Sequence, residues 1–388
     1  MIELTQGDIL KADAEALVNT VNCVGIMNQP LQGWFGTQYT RHLGSISFAS
    51  LTANGETTEL VFESELAKLA EQIKPFSYIQ VNGEFRSKPT NQEQEFHVSA
   101  VTVLSQPIEH PAQTIQHLRK IQPNLRARAQ ALAIARQVFQ ANGFLEVETP
   151  ILAEPTEGGA ETFKVSGTSY SLPQSPQLYK QTLIAGGIEK YYQIAKCFRS
   201  EAMRSNRQPE FTQLDAEMVT ASTEELMAIA QNLVAQIYTE LAGTEPTFQT
   251  LTYEAAIAQF GTAEPTLGKH EFLWITELPL FKPSEPKKAF HHPFTLPTEN
   301  GNSAAFELIY QGMEIGGGSL RIHSLEQQIR VFAELGFTAA EISQNFEILL
   351  EALEAGIPPH GGFAIGLERL LMISLEEKSI KNAIAFPK

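Results

Sequence analysis

The sequence predicts an α+β chain in which a small β-barrel precedes a larger domain of helices and strand hairpins. Three observations carry that prediction. Residues 31–107 break into five short runs of strand-forming residues, LQGWFG, SISFASL, TTELVFE, SYIQVNGEF and EFHVSAVTVL, with one helical stretch, 65–72, between the third and fourth. The segment YYQIAKCFRSEAMRSNRQPEFTQLDAEM, residues 191–218, reads as strand, loop, strand. Helical periodicity occupies 125–140 and 223–239.

Taken in order, residues 1–28, MIELTQGDILKADAEALVNTVNCVGIMN, resemble the opening of a macro domain, with Gly7-Asp8-Ile9 and Val18-Asn19-Thr20-Val21-Asn22 where that family contacts ADP-ribose. Twenty-eight residues cannot build a three-layer core, so a strand-helix-strand remnant is expected. Five strands with a helix between the third and fourth predict an OB-fold over 29–110, a barrel that often binds single-stranded nucleic acid. Its charge works against phosphate: five Lys/Arg (Arg41, Lys68, Lys74, Arg86, Lys88) face nine glutamates over that span. The third domain is expected over 111–388.

The 191–218 segment carries the chemistry. Phe211, Gln213, Asp215 and Glu217 recur at period two, so they share one sheet face, and Arg199 and Glu201 end the preceding strand. A cation, an aromatic plate and several carboxylates thus converge on one cavity. Arg204 and Arg207 in the loop between are positioned to reach a phosphate-bearing partner. A half-buried hairpin that merely meets solvent would not need Phe-Arg-x-Glu followed by Arg-Gln-Pro-Glu-Phe-Thr-Gln.

This segment resembles motif 2 of class II aminoacyl-tRNA synthetases, in detail the bacterial type of aspartyl-tRNA synthetase. ANGFLEVETP (141–150) looks like motif 1, the dimerising element, and HGGFAIGLERLLM (360–372) like motif 3. TEGGAETF (156–163), QSPQLYKQ (174–181), HHPFT (291–295) and MEIGGGSLRIH (313–323) look like aspartyl-specific elements, so the likeness spans residues 110–388. It implies an antiparallel sheet flanked by helices, preceded by an anticodon-binding OB-fold. Family members usually carry an inserted domain where this chain reads GTAEPTLGKHEFLW (261–274), and a C-terminal extension; neither is expected here.

The resemblance also implies roles. Arg199 would bridge the substrate carboxylate and the α-phosphate of ATP, Arg369 would bind the γ-phosphate, Phe211 would stack on adenine, and Glu201 would accept its amine. Arg207, Gln208 and Gly366 complete the ATP site, and Glu307 with Glu314 would hold Mg²⁺, although the family more often has Asp at the Glu307 position. Arg321 and Lys180 would take the side-chain carboxylate of L-aspartate. Asp215, Gln177, Ser175 and Glu157 would surround its ammonium, and His291 would close over it. Arg204 and Arg207 would steer the tRNA acceptor end, and Phe48 would stack on an anticodon base. A pair of buried cations favours aspartate over asparagine, because a neutral amide would leave charge unpaired. Adjacent strand residues point to opposite faces, which argues against His291 and His292 as a metal pair.

Composition sets the remaining expectations. The net charge of −16 directs attention to local basic patches, and Arg119, Lys120, Arg126 and Arg128 form a candidate one. No apolar run approaches the ~20 residues that span a bilayer. The two cysteines, Cys23 and Cys197, lack metal-site spacing, and the N-terminus lacks a signal pattern, so a cytoplasmic protein is expected. The activity expected is aspartate–tRNA ligase, as a homodimer acting on tRNA-Asp, with tRNA-Asn a second candidate. The alternatives are a paralogue that makes the adenylate but charges tRNA poorly, and a non-catalytic protein that binds nucleotide or ADP-ribose.

Overall fold

The structure, a computed structural model, describes residues 30–88, 93–108, 113–154, 162–220, 222–282 and 285–388. The macro-like segment 1–28 lies outside the described residues. Two compact units divide the chain, one reaching Gln116 and the other starting at His117.

In the first unit, β1 (Leu31–Leu43), β2 (Ile46–Ala53), β3 (Glu56–Glu63), β4 (Tyr78–Ser87) and β5 (Gln94–Ser105) close in the order β1-β2-β3-β5-β4, with helix α1 (Glu65–Gln72) between β3 and β4. Phe35, Leu51, Leu60, Phe62, Ile79, Val81 and Phe96 fill the interior. β1 outruns its predicted length. Gly36, at φ 60°, turns the strand through an irregularity between Phe35 and Thr40, and the polar residues beyond stay attached. Thr37 Oγ1 lies 2.5 Å from Thr52 Oγ1, and the Gln38 N–H donates to Ser50 Oγ at 2.9 Å. A bulge of this kind breaks the period-two signal that sequence reading relies on.

The second unit is built on eight strands in the order β6-β7-β8-β15-β14-β13-β10-β9. These are β6 (Leu145–Glu146), β7 (Lys190–Phe198), β8 (Glu210–Val219), β9 (Thr247–Thr252), β10 (Glu271–Thr276), β13 (Ala305–Tyr310), β14 (Met313–Leu320) and β15 (His360–Gly366); β11 (Phe281–Lys282) and β12 (Glu285–Ala289) form a separate hairpin. The interior pairs are antiparallel, but β6–β7 and β9–β10 at the two edges are parallel. β9 and β10 can pair so because α5 (Tyr253–Phe260) crosses between them. The connection Gly261–His270 is short, and the Gln311 side chain pins it by donating to the carbonyls of Leu267 and Gly268.

Helices cover the sheet. α2 (Gln113–Ala141) begins well before the predicted start at 125 and carries Pro123 within it. α3 (Gln177–Ala185), α4 (Thr223–Ala242), α6 (Leu325–Glu334), α7 (Ala339–Asn345), α8 (Glu347–Glu354) and α9 (Leu367–Ser374) follow. α4 starts at the predicted residue because Ser222 caps it, its side chain accepting from Glu225 N–H, and it stops at Gly243 in the left-handed region. The largest core lies on one sheet face, where Phe139 stacks on Tyr192 at 4.5 Å and Leu226, Ala230, Leu233 and Ile237 of α4 pack with Leu370 and Leu371 of α9.

Candidate active site

Period-two alternation separates core from site. On β8, Leu214, Ala216 and Met218 join the large core, which turns Gln213, Asp215 and Glu217 to the opposite face. On β13, Phe306 and Leu308 do the same, leaving Glu307 on the site side. That side holds a cavity of about 630 Å³, whose lining includes Ser175, Gln177, Lys180, Arg199, Glu201, Asp215, His291, Glu307, Glu314 and Arg321. Residues scattered over nearly 150 positions of sequence are thereby brought together. Glu157 lies outside the described residues.

One end of the cavity is a buried ion cluster. Lys180 Nζ, reaching from α3, sits 2.9 Å from Asp215 Oδ2 and 3.2 Å from Glu217 Oε2. Arg321 grips Glu217 with two bonds, Nε to Oε1 at 2.8 Å and Nη2 to Oε2 at 3.1 Å, and its Nη1 donates to His292 Nε2 at 2.7 Å. All four charged residues are 2% exposed or less. The two carboxyls diverge in acidity. Burial raises both, but Arg321 and Lys180 together outweigh it for Glu217 and hold that carboxyl at about 2. Asp215, with only Lys180 in direct contact, is left raised to about 6. A Cβ at Gly362 on β15 would overlap Glu217 Oε2 and the Ala216 carbonyl oxygen, and the backbone overlap requires glycine there.

Among the described residues, four buried polar atoms of the lining have no hydrogen-bond partner: Asp215 Oδ1, Gln177 Nε2, Arg199 Nε and His291 Nε2. Such atoms are costly unless a ligand satisfies them. They call for a ligand carrying both a donor, for the Asp215 oxygen, and acceptors, for the amide and guanidinium.

Of the residues expected to meet ATP, Arg199 and Glu201 line the cavity, whereas Phe211, Arg207, Gln208, Gly366 and Arg369 are not in its lining. The Arg199 guanidinium lies over the Phe211 ring, 5.1 Å from its centroid. Arg207 pairs with Glu201 at 3.0 Å, and Arg204 is an exposed residue bonded to Arg207 backbone to backbone. Gln208 is buried and turned away from the lining; its Oε1 accepts from the Lys388 N–H at 2.8 Å. Gly366 caps α9, and Arg369, in the first turn, donates to the carbonyls of Glu314 and Asn206. Glu307 and Glu314 stand on β13 and β14 across the two-residue turn Gln311-Gly312, at φ 50° and 72°. Burial, together with Glu314, raises Glu307 to about 8, and burial lowers His291 to about 4. Their 3.6 Å contact therefore joins two neutral groups near pH 7.

Three sequence expectations change. The HHPFT segment is a bend, not a strand, so His291 and His292 do not face opposite ways: both line the cavity. Arg128 is no free cation for phosphate, because Glu368 holds it at 2.9 Å. The triple glycine answers to strand packing as well as ligand approach, since a Cβ at Gly316 or Gly318 would overlap the carbonyl oxygens of Ala364 or Gly362. Sequence reading placed Glu217 on the cavity face without giving it a specific partner, and it gave His292 no role. The available signals were adjacency to His291 and a place two residues past Asp215 on the same strand face.

On the barrel, Phe48 is half-buried between Arg41 and Val61 and stands outside the buried core set. The five barrel cations are engaged within the barrel. Lys88 meets Glu59, Arg86 meets Glu84, Lys68 meets Glu65, Arg41 lies over Tyr39, and Lys74 donates to the carbonyls of Pro107 and Ile108.

Comparison with known proteins agrees with this geometry. Residues 112–388, well over half the chain, match the family model described as "tRNA synthetases class II (D, K and N)". The chain belongs to this family. The class II fold is shared with an Entamoeba histolytica asparaginyl-tRNA synthetase in complex with asparaginyl-adenylate (TM-score 0.77, 18% identity, 92% of this chain and 94% of that one). It is also shared with a Leishmania major Friedlin protein assigned as an aspartyl-tRNA synthetase (TM-score 0.75, 17% identity, 93% and 90%). Curated relatives include the aspartate–tRNA(Asp/Asn) ligase of Desulfatibacillum aliphaticivorans, 28% identical over 92% of this chain and 90% of the relative. The aspartate–tRNA ligase of Clostridium botulinum (strain Eklund 17B / Type B) is 28% identical over 92% and 89%. The first alignment runs 539 positions against 388 residues here, so that class II relative holds segments with no counterpart in this chain.

Proposed function

We propose that this class II synthetase is an aspartate–tRNA ligase. It activates L-aspartate with ATP to aspartyl-adenylate and passes the aspartyl group to the terminal adenosine of tRNA. The observation that carries this reading is the Lys180–Asp215–Glu217–Arg321 cluster with its one bare oxygen. The two cations suit the side-chain carboxylate of aspartate, and Asp215 Oδ1 suits its ammonium. Arg199 then stabilises the charge that grows as the α-carboxylate attacks the α-phosphorus, and Arg369 holds the γ-phosphate as pyrophosphate departs.

Mg²⁺ fits the pair Glu307 and Glu314: burial and the neighbouring Glu314 favour the protonated form of Glu307, and a divalent cation would offset that cost and hold it as the carboxylate. Bound there it would neutralise phosphate charge. Among the described residues no group of three or more His, Cys, Asp or Glu forms a metal site, which suits an ion that takes its other ligands from ATP and water. Residues 111–388 would then do the chemistry and 29–110 would contact tRNA, with its cations largely self-engaged. The exposed apolar residues Leu145 within motif 1 and Ile151 and Leu152 just after it support a twofold dimer, and sedimentation across a concentration series should find one. An active monomer would rule it out. No described helix is long and apolar enough to cross a membrane, and a cytoplasmic place goes with this function.

The test is pyrophosphate exchange run beside tRNA charging. Exchange should depend on aspartate, with asparagine at least about tenfold poorer, because its neutral amide offers no charge to Lys180 and Arg321. Absence of exchange with every amino acid would defeat the proposal. Strong exchange without charging of tRNA-Asp or tRNA-Asn would favour a paralogue that forms the adenylate only, the reading that the self-paired barrel cations support.

A further inference from the structure

Glu368 stands one residue before Arg369, is 4% exposed, and has both oxygens engaged. Oε1 meets Arg128 Nη1 at 2.9 Å, and Oε2 accepts the Thr212 backbone N–H at 2.9 Å. Arg128, from α2, closes the triangle: its Nη2 donates to Thr212 Oγ1 at 2.8 Å and its Nη1 to the Ala383 carbonyl at 3.3 Å. Thr212 follows Phe211 on β8 and is 1% exposed. The residue behind Phe211 and the residue behind Arg369 are therefore bonded to each other through one carboxylate and one guanidinium. β8 and α9 already share the large apolar core, so attachment alone does not require an ion pair there. A buried pair is weak evidence for stability, whereas directed bonds from a planar guanidinium fix geometry.

We infer that Arg128 and Glu368 are positioning residues that set the spacing between Phe211 and Arg369, and with it the affinity for ATP, without touching substrate. This rests on the nucleotide site of the proposed function. Glu368→Gln keeps the shape and an acceptor for Thr212 but turns an amide donor toward Arg128. Arg128→Lys keeps the charge but cannot reach Glu368, Thr212 and Ala383 in the same planar array.

Equilibrium dialysis of the full chain with ATP and with aspartate separately tests the inference. Both variants should weaken ATP binding at least about tenfold and leave aspartate binding within about twofold, a split that general loosening would not produce. In an Arg369→Ala background, Glu368→Gln should add less than about twofold, because no guanidinium remains to be placed. Equal losses for both ligands, no loss for ATP, or full additivity in the Arg369→Ala background would reduce the triangle to a brace for the fold. If Glu368→Gln does not fold, Arg128→Lys and its cycle with Arg369→Ala decide the matter. The parent's exchange activity separates the two readings: ATP binding that follows this pattern without aspartate-dependent exchange sustains the clamp and defeats the ligase. A parent that binds no ATP defeats both.

Discussion

Arg199→Ala should lower the turnover of aspartate-dependent pyrophosphate exchange by about 10²–10³-fold, the usual loss when one preorganised donor is removed from a developing anion. The geometry makes this the most damaging single truncation at the nucleotide end. Arg199 directly follows β7, its backbone N–H donates to the Pro209 carbonyl at 2.9 Å, and its guanidinium is steadied on the Phe211 face. Its buried Nε has no hydrogen-bond partner among the described residues, so that donor can meet a ligand. The substitution removes both the donor fork and the plate's companion. Arg199→Lys should recover only part of the loss, since an ammonium on a flexible stem cannot bond two oxygens in one plane. Turnover at saturating ATP and aspartate, rather than KM, is the informative quantity, because an interaction made mainly in the transition state appears there. An alanine variant within tenfold of the parent would show that Arg199 does not bridge the reacting groups.

Why so much of this site was legible in the sequence, and why the rest was not, follows from the length scale of each signal. The β8 residues could be placed on one face because strand period two is local and strict, and the structure puts Gln213 and Asp215 on the cavity lining. The 65–72 helix and the five barrel strands were equally local. What failed was nonlocal. The Gly36 irregularity let β1 run on through 37–43, where Thr37, Gln38 and Tyr39 meet Ser50 and Thr52 of the next strand. Helical periodicity is legible only from 125, but α2 begins at Gln113 and runs through Pro123. Arg128 looked like a surface cation because its acceptor, Glu368, is 240 residues away. The parallel pairing of β9 with β10 depends on the α5 crossover, and no residue pattern within β9 or β10 states that. His292 was misjudged through a backbone assumption: a strand would have turned it away, and a bend does not.

Glu217→Gln should cost about 3–5 kcal/mol of folding stability near pH 7, because it removes one charge from a buried, paired network and leaves its cations undercompensated. Glu217 is fully buried and takes three bonds from two cations, so Gln offers one acceptor where Arg321 Nε and Nη2 now have two. Acidity gives an independent measure with a definite sign. The folded carboxyl is depressed from 4.5 to about 2, so its stabilisation is fully present above about pH 4.5 and is lost as the pH falls through about 2. Asp215 has the opposite sign. Raised from 3.8 to about 6, it opposes folding increasingly as the pH climbs between those values, and Glu217 is one cause of that rise. Removing the Glu217 charge therefore eases Asp215 while it frees Lys180 and Arg321, so the measured loss should fall toward the lower end of the range. Urea titrations of parent and variant at pH 7, 4.5 and 3 should show a gap that is widest at pH 7 and 4.5 and narrows at pH 3. A gap below about 1 kcal/mol at pH 7, the scale of an exposed ion pair, would mean that solvent shares the cluster. A gap that does not change with pH would assign the loss to packing against β15 instead of charge.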